Sequence, residues 1–360
     1  MATLNRSLAS KPVTATRERP AGSIRFDLYV VLLSLWCTVG LFVDGYAHNH
    51  GGVDNTFFTP YHALLYSGIL AVGLFLGITQ YRNIAKGHTF SRALPYGYNL
   101  SLVGVGLFFA GGGFDFLWHS LFGFEANLST LLSPAHLLLA TAGLLIVTGP
   151  LRAAWQRSNL PSTWANLFPV VLSLLLLLSA LTFFTQFSNA FSHAWGYIEN
   201  VPSRERGYLD VLGVANILFP TTLMIGVLLF AVRRWVLPFG AVTFILLVNA
   251  IGMLALEWRE MQQLWYVLFA ALAAGIVGDL LLHLLKPTPA NPLALRIFPF
   301  AVPFVLSLVY FLLLIMRVGI WWEIHKWLGV SFFAGASGLF LSYLTLSPAL
   351  PEKAAETGTP

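Results

Sequence analysis

Apolar runs of about 20 residues recur along almost the whole chain, and they restrict its fold more than any other feature. Each run is long enough to cross a hydrocarbon core of roughly 30 Å as an α-helix, which satisfies its backbone hydrogen bonds internally. A composition of 57% hydrophobic and 10% charged residues agrees with a membrane protein. We therefore predict an all-α, polytopic transmembrane bundle of repeated hairpins, with about ten spans near residues 24–43, 60–80, 97–118, 134–151, 166–188, 210–232, 237–256, 264–285, 297–316 and 326–346.

Lysine and arginine divide unevenly between the loops that these spans create. Fifteen of the 20 lie on the side that carries both termini, and five lie on the other side. Because positively charged loops remain in the cytoplasm, the pattern predicts an N-in/C-in protein of a bacterial or archaeal cytoplasmic membrane. The net charge of +5 is spread over these loops, so it does not indicate nucleic-acid binding. The expected partner is the lipid bilayer.

The two ends of the chain are polar. Residues 1–23 lack the apolar region of a signal peptide and are predicted to form a disordered, basic cytoplasmic tail. Residues 350–360 are predicted to be a second disordered tail, which leaves a transmembrane domain at 24–349. The single cysteine, Cys37, excludes a disulfide framework and a cysteine-based zinc site.

An internal repeat lies at the predicted outer ends of the first two hairpins, 30–82 and 97–152. In each copy an Asp-x3-His is followed by an acid six residues after the histidine, and then by a hydroxyl residue, a proline and a second histidine. The first copy consists of Asp44, His48, Asp54, Thr59, Pro60 and His62, and the second of Asp115, His119, Glu125, Ser133, Pro134 and His136.

The spacing of the repeat predicts metal binding. An aspartate and a histidine at i and i+4 lie on one helix face, one turn apart. A proline suits the first turn of the returning helix, which brings the second histidine level with that pair. Each hairpin can therefore offer one carboxylate and two imidazoles, a ligand set that suits copper, Zn(II) or Fe(II). Asp54 and Glu125 are candidates either for further ligands or for groups that orient a ligand histidine.

Other acids and histidines are weaker candidates. Asn189, His193 and Glu199 form a third copy that lacks the second histidine, so His193 is either a ligand or an interfacial side chain. Glu323 and His325, flanked by interfacial tryptophans, could complete the site. Asp279 and His283 have the i, i+4 spacing but lie on the predicted cytoplasmic side, where we expect an ion pair or a proton-relay element.

The string from Asp44 through Asp54 to His62 resembles the metal-binding segment of the C subunit of copper membrane monooxygenases, the family of particulate methane and ammonia monooxygenases. The resemblance covers roughly residues 30–145. It implies one copper site at Asp44, His48 and His62 and a second at Asp115, His119 and His136, although the family has asparagine where this chain has Asp115. It also implies partners, either the other monooxygenase subunits or further copies of this chain.

The leading hypothesis is therefore a membrane copper protein, a monooxygenase-type oxidoreductase or a subunit of one, that acts on a small apolar substrate at the outer leaflet. One alternative is a copper or zinc carrier or sensor without turnover. Another is a zinc-dependent membrane hydrolase, in which Asp54 or Glu125 would be the general base.

Overall fold

The computed structural model describes residues 18–51, 58–123, 128–157, 160–195, 197–198, 202, 204–286, 291 and 293–345. These residues form α-helices and short 3-10 turns without a strand. The first hairpins contain α1 (Ile24–Asn49), α2 (Pro60–Ala85), α3 (Asn99–Phe122), α4 (Leu128–Leu132), α5 (Pro134–Val147) and α6 (Gly149–Trp155). The remainder contains α7 (Trp164–Phe184), α8 (Arg206–Val232), α9 (Ala241–Leu256), α10 (Trp258–Met261), α11 (Leu268–Leu285), α12 (Ala294–Arg317) and α13 (Ile324–Thr345). The prediction of an all-α polytopic bundle is confirmed.

Among the described residues, eight helical segments are long and apolar enough to cross a membrane, and the bent pair α5–α6 makes a ninth if it is one span. The remaining predicted span corresponds to α9, an apolar helix of only 16 residues. Each of the ten predicted segments thus coincides with a helix, although not every helix is long enough to span alone.

The 40° bend between α5 and α6 has a local cause. Pro150 lacks a backbone N–H and cannot complete the helical hydrogen bond to the carbonyl of Ile146. The hydroxyl of Ser101, in α3, donates to the carbonyls of Leu145 and Ile146 at 3.1 and 3.3 Å. The Leu145 carbonyl also accepts from Arg152 at 2.8 Å. The carbonyl groups of Leu145 and Ile146 at the bend therefore accept hydrogen bonds from side chains inside the protein.

Apolar faces of the first hairpin point away from the protein. Leu32, Trp36, Val39 and Val43 follow one another at helical spacing along α1 and are between 37 and 49% exposed. In water a contiguous apolar stripe of this kind would be unfavourable, whereas in hydrocarbon it is expected. The protein is accordingly an integral membrane protein in contact with lipid.

Two apolar clusters form the interior. The smaller one joins α1, α2, α3 and α5 around Ile69, Val72 and Ile146. The larger one contains the inner faces of α7, α8, α9, α11 and α12. Helix α1 packs on α2 on one side and on α7 and α9 on the other, so it connects the two clusters. Its C-terminal end therefore lies where the first hairpins meet the rest of the bundle.

Candidate metal centre

The first triad, Asp44, His48 and His62, brings three potential ligand atoms together. Oδ2 of Asp44 lies 3.7 Å from Nε2 of His48 and 3.5 Å from Nε2 of His62. The two Nε2 atoms are 3.5 Å apart. Asp44 is 8% exposed, and both histidine rings are largely covered. The predicted convergence of one carboxylate and two imidazoles is therefore present at this hairpin.

Local structure explains how these side chains meet. Asp44 and His48 occupy successive turns at the C-terminal end of α1, on one face. Thr59 is the N-cap of α2, and its hydroxyl accepts the backbone N–H of His62 at 3.1 Å. Pro60 is the first helical residue, as predicted from its tolerance at that position. The cap and the proline thus set the start of α2, and with it the height of His62 beside α1.

The spacing of the three atoms fits a metal ion. Three points separated by 3.5, 3.5 and 3.7 Å share an equidistant position about 2.1 Å from each, which is the ordinary bond length from nitrogen or oxygen to zinc-like ions. The other carboxylate oxygen of Asp44, Oδ1, is buried and has no hydrogen-bond partner among the described residues. A buried carboxylate facing two imidazoles is costly unless a cation compensates its charge. The donor chemistry and the geometry of the first triad therefore suit a metal.

The second triad, Asp115, His119 and His136, repeats this arrangement at the junction of α3 and α5. Oδ1 of Asp115 lies 3.4 Å from Nε2 of His119 and 3.5 Å from Nδ1 of His136. Asp115 is 4% exposed. Ser133 is the N-cap of α5, and its hydroxyl accepts the N–H of His136 at 3.2 Å. Both copies of the sequence repeat thus fold into the same three-residue group.

The two triads differ in how their imidazoles are held. Nδ1 of His119 lies 3.2 Å from the carbonyl oxygen of Gly123. Because a carbonyl can only accept, this contact favours the proton on Nδ1 and leaves the Nε2 lone pair toward Asp115. Nδ1 of His136, by contrast, also lies 2.7 Å from the hydroxyl of Ser133. A metal bound through that nitrogen would have to displace the serine contact, or the ring would have to present Nε2.

The two triads lie beside one another. The carboxylates of Asp44 and Asp115 interact electrostatically, and so do the rings of His48 and His119. Tyr66, one turn after His62 in α2, interacts electrostatically with both carboxylates. Its hydroxyl occupies the space in which a side chain on Gly112 would lie, 2.3 Å from the position of a Cβ atom there. Tyr66 is a site residue that the sequence analysis missed, because its role depends on the packing of α2 against α3.

Of the third copy of the repeat, the structure describes Asn189 and His193 but not Glu199. Helix α7 ends at Phe184, and Asn189 and His193 lie in turns beyond it, where the backbone N–H of His193 donates to the carbonyl of Asn189 at 2.9 Å. Asn189 is 2% exposed, and its side-chain oxygen accepts the N–H of Phe191 at 3.0 Å. His193 instead approaches Glu257, with Nε2 3.9 Å from Oε1. Burial lowers the pKa of His193 to about 4, so its ring is neutral near pH 7.

The remaining candidates are placed differently. Glu323 and His325 are exposed at the start of α13 and belong to none of the metal-like groups of the described residues. Asp54, Glu125 and Glu199 lie outside the described residues. These five positions remain predictions as extra ligands or orienting groups.

Asp279 stabilises the start of α9, a structural role different from the ion pair or proton relay that we expected. Its carboxylate accepts the backbone N–H groups of Val242 and Thr243 at 3.0 and 2.9 Å, and the Thr243 hydroxyl at 2.6 Å. It thereby satisfies N–H groups at the start of α9, where a negative charge is also favoured by the helix dipole. His283, one turn further along α11, packs against the ring of Phe239 instead.

The described chain is thus an all-α membrane bundle with two Asp/His/His groups at neighbouring hairpin ends. No family model, no curated protein and no solved structure matches the chain.

Proposed function

We propose that the two triads bind copper and that the chain is a copper-dependent oxidoreductase of the monooxygenase type, or a subunit of one, acting on a small apolar substrate. The observation that carries the proposal is the pair of adjacent Asp/His/His groups, each with its carboxylate buried. Two imidazoles and one carboxylate leave coordination positions open, as a reactive metal site requires. The likeness of the first hairpin to the monooxygenase C subunit favours copper over zinc or iron.

The residues have distinct tasks in this proposal. Neutral imidazoles of His48, His62 and His119 would donate lone pairs, and the aspartates would balance the positive charge of the ion. Copper, when bound, supplies one-electron chemistry and reaction with O₂. The surrounding helices carry exposed apolar faces, so a small apolar substrate could reach the site by partition from the bilayer. By the distribution of basic residues, the triads face the outer leaflet.

A carrier is less well supported than an enzyme. A carrier needs ligands along a path through the bundle, and Asp279 was the principal candidate for the opposite side. Its carboxylate instead accepts three hydrogen bonds from the first residues of α9. The carboxylate of Asp279 is therefore used in hydrogen bonds to α9 and is not free to act as a metal ligand on a path through the bundle.

Metal analysis of the purified protein tests the binding proposal. We expect two copper ions per chain in the wild type, one in Asp44→Ala and one in Asp115→Ala, with nitrogen hyperfine structure in the EPR spectrum of the oxidised protein. His88→Gln is a matched control, because this histidine lies in the loop at the far end of α2. Copper content that does not change in either aspartate variant would refute the assignment.

Turnover is tested separately. Membranes containing the wild type, a reductant and a short alkane should yield an oxygenated product that requires O₂ and is lost in both aspartate variants. Copper binding without any O₂-dependent product would favour a carrier or sensor. Zinc in place of copper, with hydrolytic activity, would favour the hydrolase.

A further inference from the structure

A third group of ionisable side chains lies where the end of α1 meets the corner between α9 and α10. It consists of His50, Glu257 and Glu260, which we call the His50 cluster. One ligand atom from each residue lies within 4.8 Å of the others. None of the three belongs to the sequence repeat, and more than 200 residues of chain separate the histidine from the two acids.

The two carboxylates of the His50 cluster are paired only with histidines among the basic side chains that the structure describes. Among the described residues, no lysine or arginine forms an ion pair with Glu257 or Glu260. The side chain of Glu257 is only 12% exposed, whereas that of Glu260 is 64% exposed. The two carboxylate groups lie within 4.8 Å of each other and of the His50 ring nitrogen, and a cation between them would offset their repulsion. The charge balance of the cluster therefore favours a divalent cation.

The imidazole of His50 is held in the orientation of a metal ligand. Its side chain is 4% exposed, and Nδ1 lies 2.8 Å from the carbonyl oxygen of Tyr46. Because a carbonyl only accepts, Nδ1 carries a proton, and the ring of Tyr46, 4.2 Å away between centroids, restricts rotation. Nε2 then points at Oε2 of Glu260 from 3.2 Å. A histidine that donates one N–H to a backbone carbonyl and presents the other nitrogen to a carboxylate group is typical of metal sites.

Neighbouring side chains support Glu257 in the same way. The amide nitrogen of Asn49 donates to Oε1 of Glu257 and to Oε1 of Gln186, both at 2.7 Å. His193 approaches the same Glu257 oxygen to 3.9 Å, and its ring is stacked on Trp195. Asn49 and His193 thus both approach Oε1 of Glu257, and the hydrogen bond from Asn49 orients this carboxylate.

We propose that His50, Glu257 and Glu260 form a separate binding site for a divalent cation of the Zn(II) type. Imidazole nitrogen and carboxylate oxygen are ordinary zinc ligands, and two carboxylates balance the charge of the ion. Because the site joins α1 to the α9–α10 corner, the ion would fasten the first hairpin to the rest of the bundle.

The test uses a chain from which both triads have been removed. In Asp44→Ala/Asp115→Ala, equilibrium dialysis against Zn²⁺ should still show one ion per chain. Adding His50→Gln or Glu257→Gln should raise the dissociation constant at least about tenfold, and zinc should no longer raise the thermal midpoint. Glu205→Gln is the control, because this acid is exposed, pairs with Arg204 and belongs to none of the metal-like groups of the described residues.

Two results would overturn the site. One is a triad-deficient chain that binds no zinc, and the other is unchanged affinity in both His50→Gln and Glu257→Gln. If the triad-deficient chain does not fold, the same substitutions in the wild-type background must lower the bound zinc by one ion per chain, and failure to do so also overturns the site. Neither measurement depends on copper in the triads or on turnover, so the two proposals can fail separately.

Discussion

Substitution of Gly40 by alanine should weaken metal binding at the first triad without touching a ligand. Gly40 lies one turn before Asp44, where α1 crosses α2 at close range. A Cβ atom at Gly40 would lie 2.7 Å from Cα of Leu65, whereas ordinary contacts begin at 3.4 Å. The helices would have to separate by about 0.7 Å at this point, because neither the alanine Cβ atom nor the Cα atom of Leu65 can rotate away.

This displacement is large compared with what a metal site tolerates. Leu65 is three residues after His62, so separation of the helices moves His62 away from Asp44 and His48. Metal–ligand distances are held to about 0.2 Å, several times less than the required shift. We expect the affinity of the first triad for copper to fall between about tenfold and a hundredfold, or roughly 1.4–2.8 kcal/mol.

The assay is a Cu(I) competition titration in an Asp115→Ala background, where only the first triad binds copper. Gly77→Ala in α2 is the control, because a Cβ atom at Gly77 would meet nothing within 4 Å. Gly68→Ala should behave like Gly40→Ala, since its Cβ would lie 2.7 Å from Cα of Cys37 across the same crossing. If Gly40→Ala binds copper within twofold of Gly77→Ala, the proposed dependence of the site on this crossing is wrong.

Three further predictions concern stability. Thr59→Ala or Ser133→Ala removes a helix N-cap and should cost about 1 kcal/mol; an unchanged thermal midpoint in detergent would contradict this. Asp27→Asn removes the buried charge that pairs with Arg157 and should cost about 3 kcal/mol in denaturant titrations, with copper content preserved. Asp279→Ala should cost about 2 kcal/mol through the lost hydrogen bonds at α9; loss of copper in this variant would instead return Asp279 to a metal pathway.

Local patterns in the sequence predicted the helices and the two Asp/His/His groups. Apolar runs predicted the helices, because lipid leaves a chain few other ways to satisfy its backbone. The i, i+4 spacing predicted that Asp44 and His48, and likewise Asp115 and His119, share a helix face, since that relation depends only on helical geometry. Pro60 and Pro134 predicted the helix starts that bring in the second histidines. Asn189 and His193, with the same spacing, lie in turns beyond the end of α7, and His193 there approaches Glu257.

Only the tertiary structure decided which of these local groups become neighbours. The packing of α2 against α3 places the two triads side by side and inserts Tyr66 near both carboxylates. The packing of α1 against α9 brings His50 to Glu257 and Glu260. Asp279 likewise finds its partners 36 residues or more away in the chain, at the start of α9. Spacing along one helix determines a shared face, whereas contact between helices depends on how closely their backbones approach, and glycines such as Gly40 and Gly68 control that approach at α1 and α2.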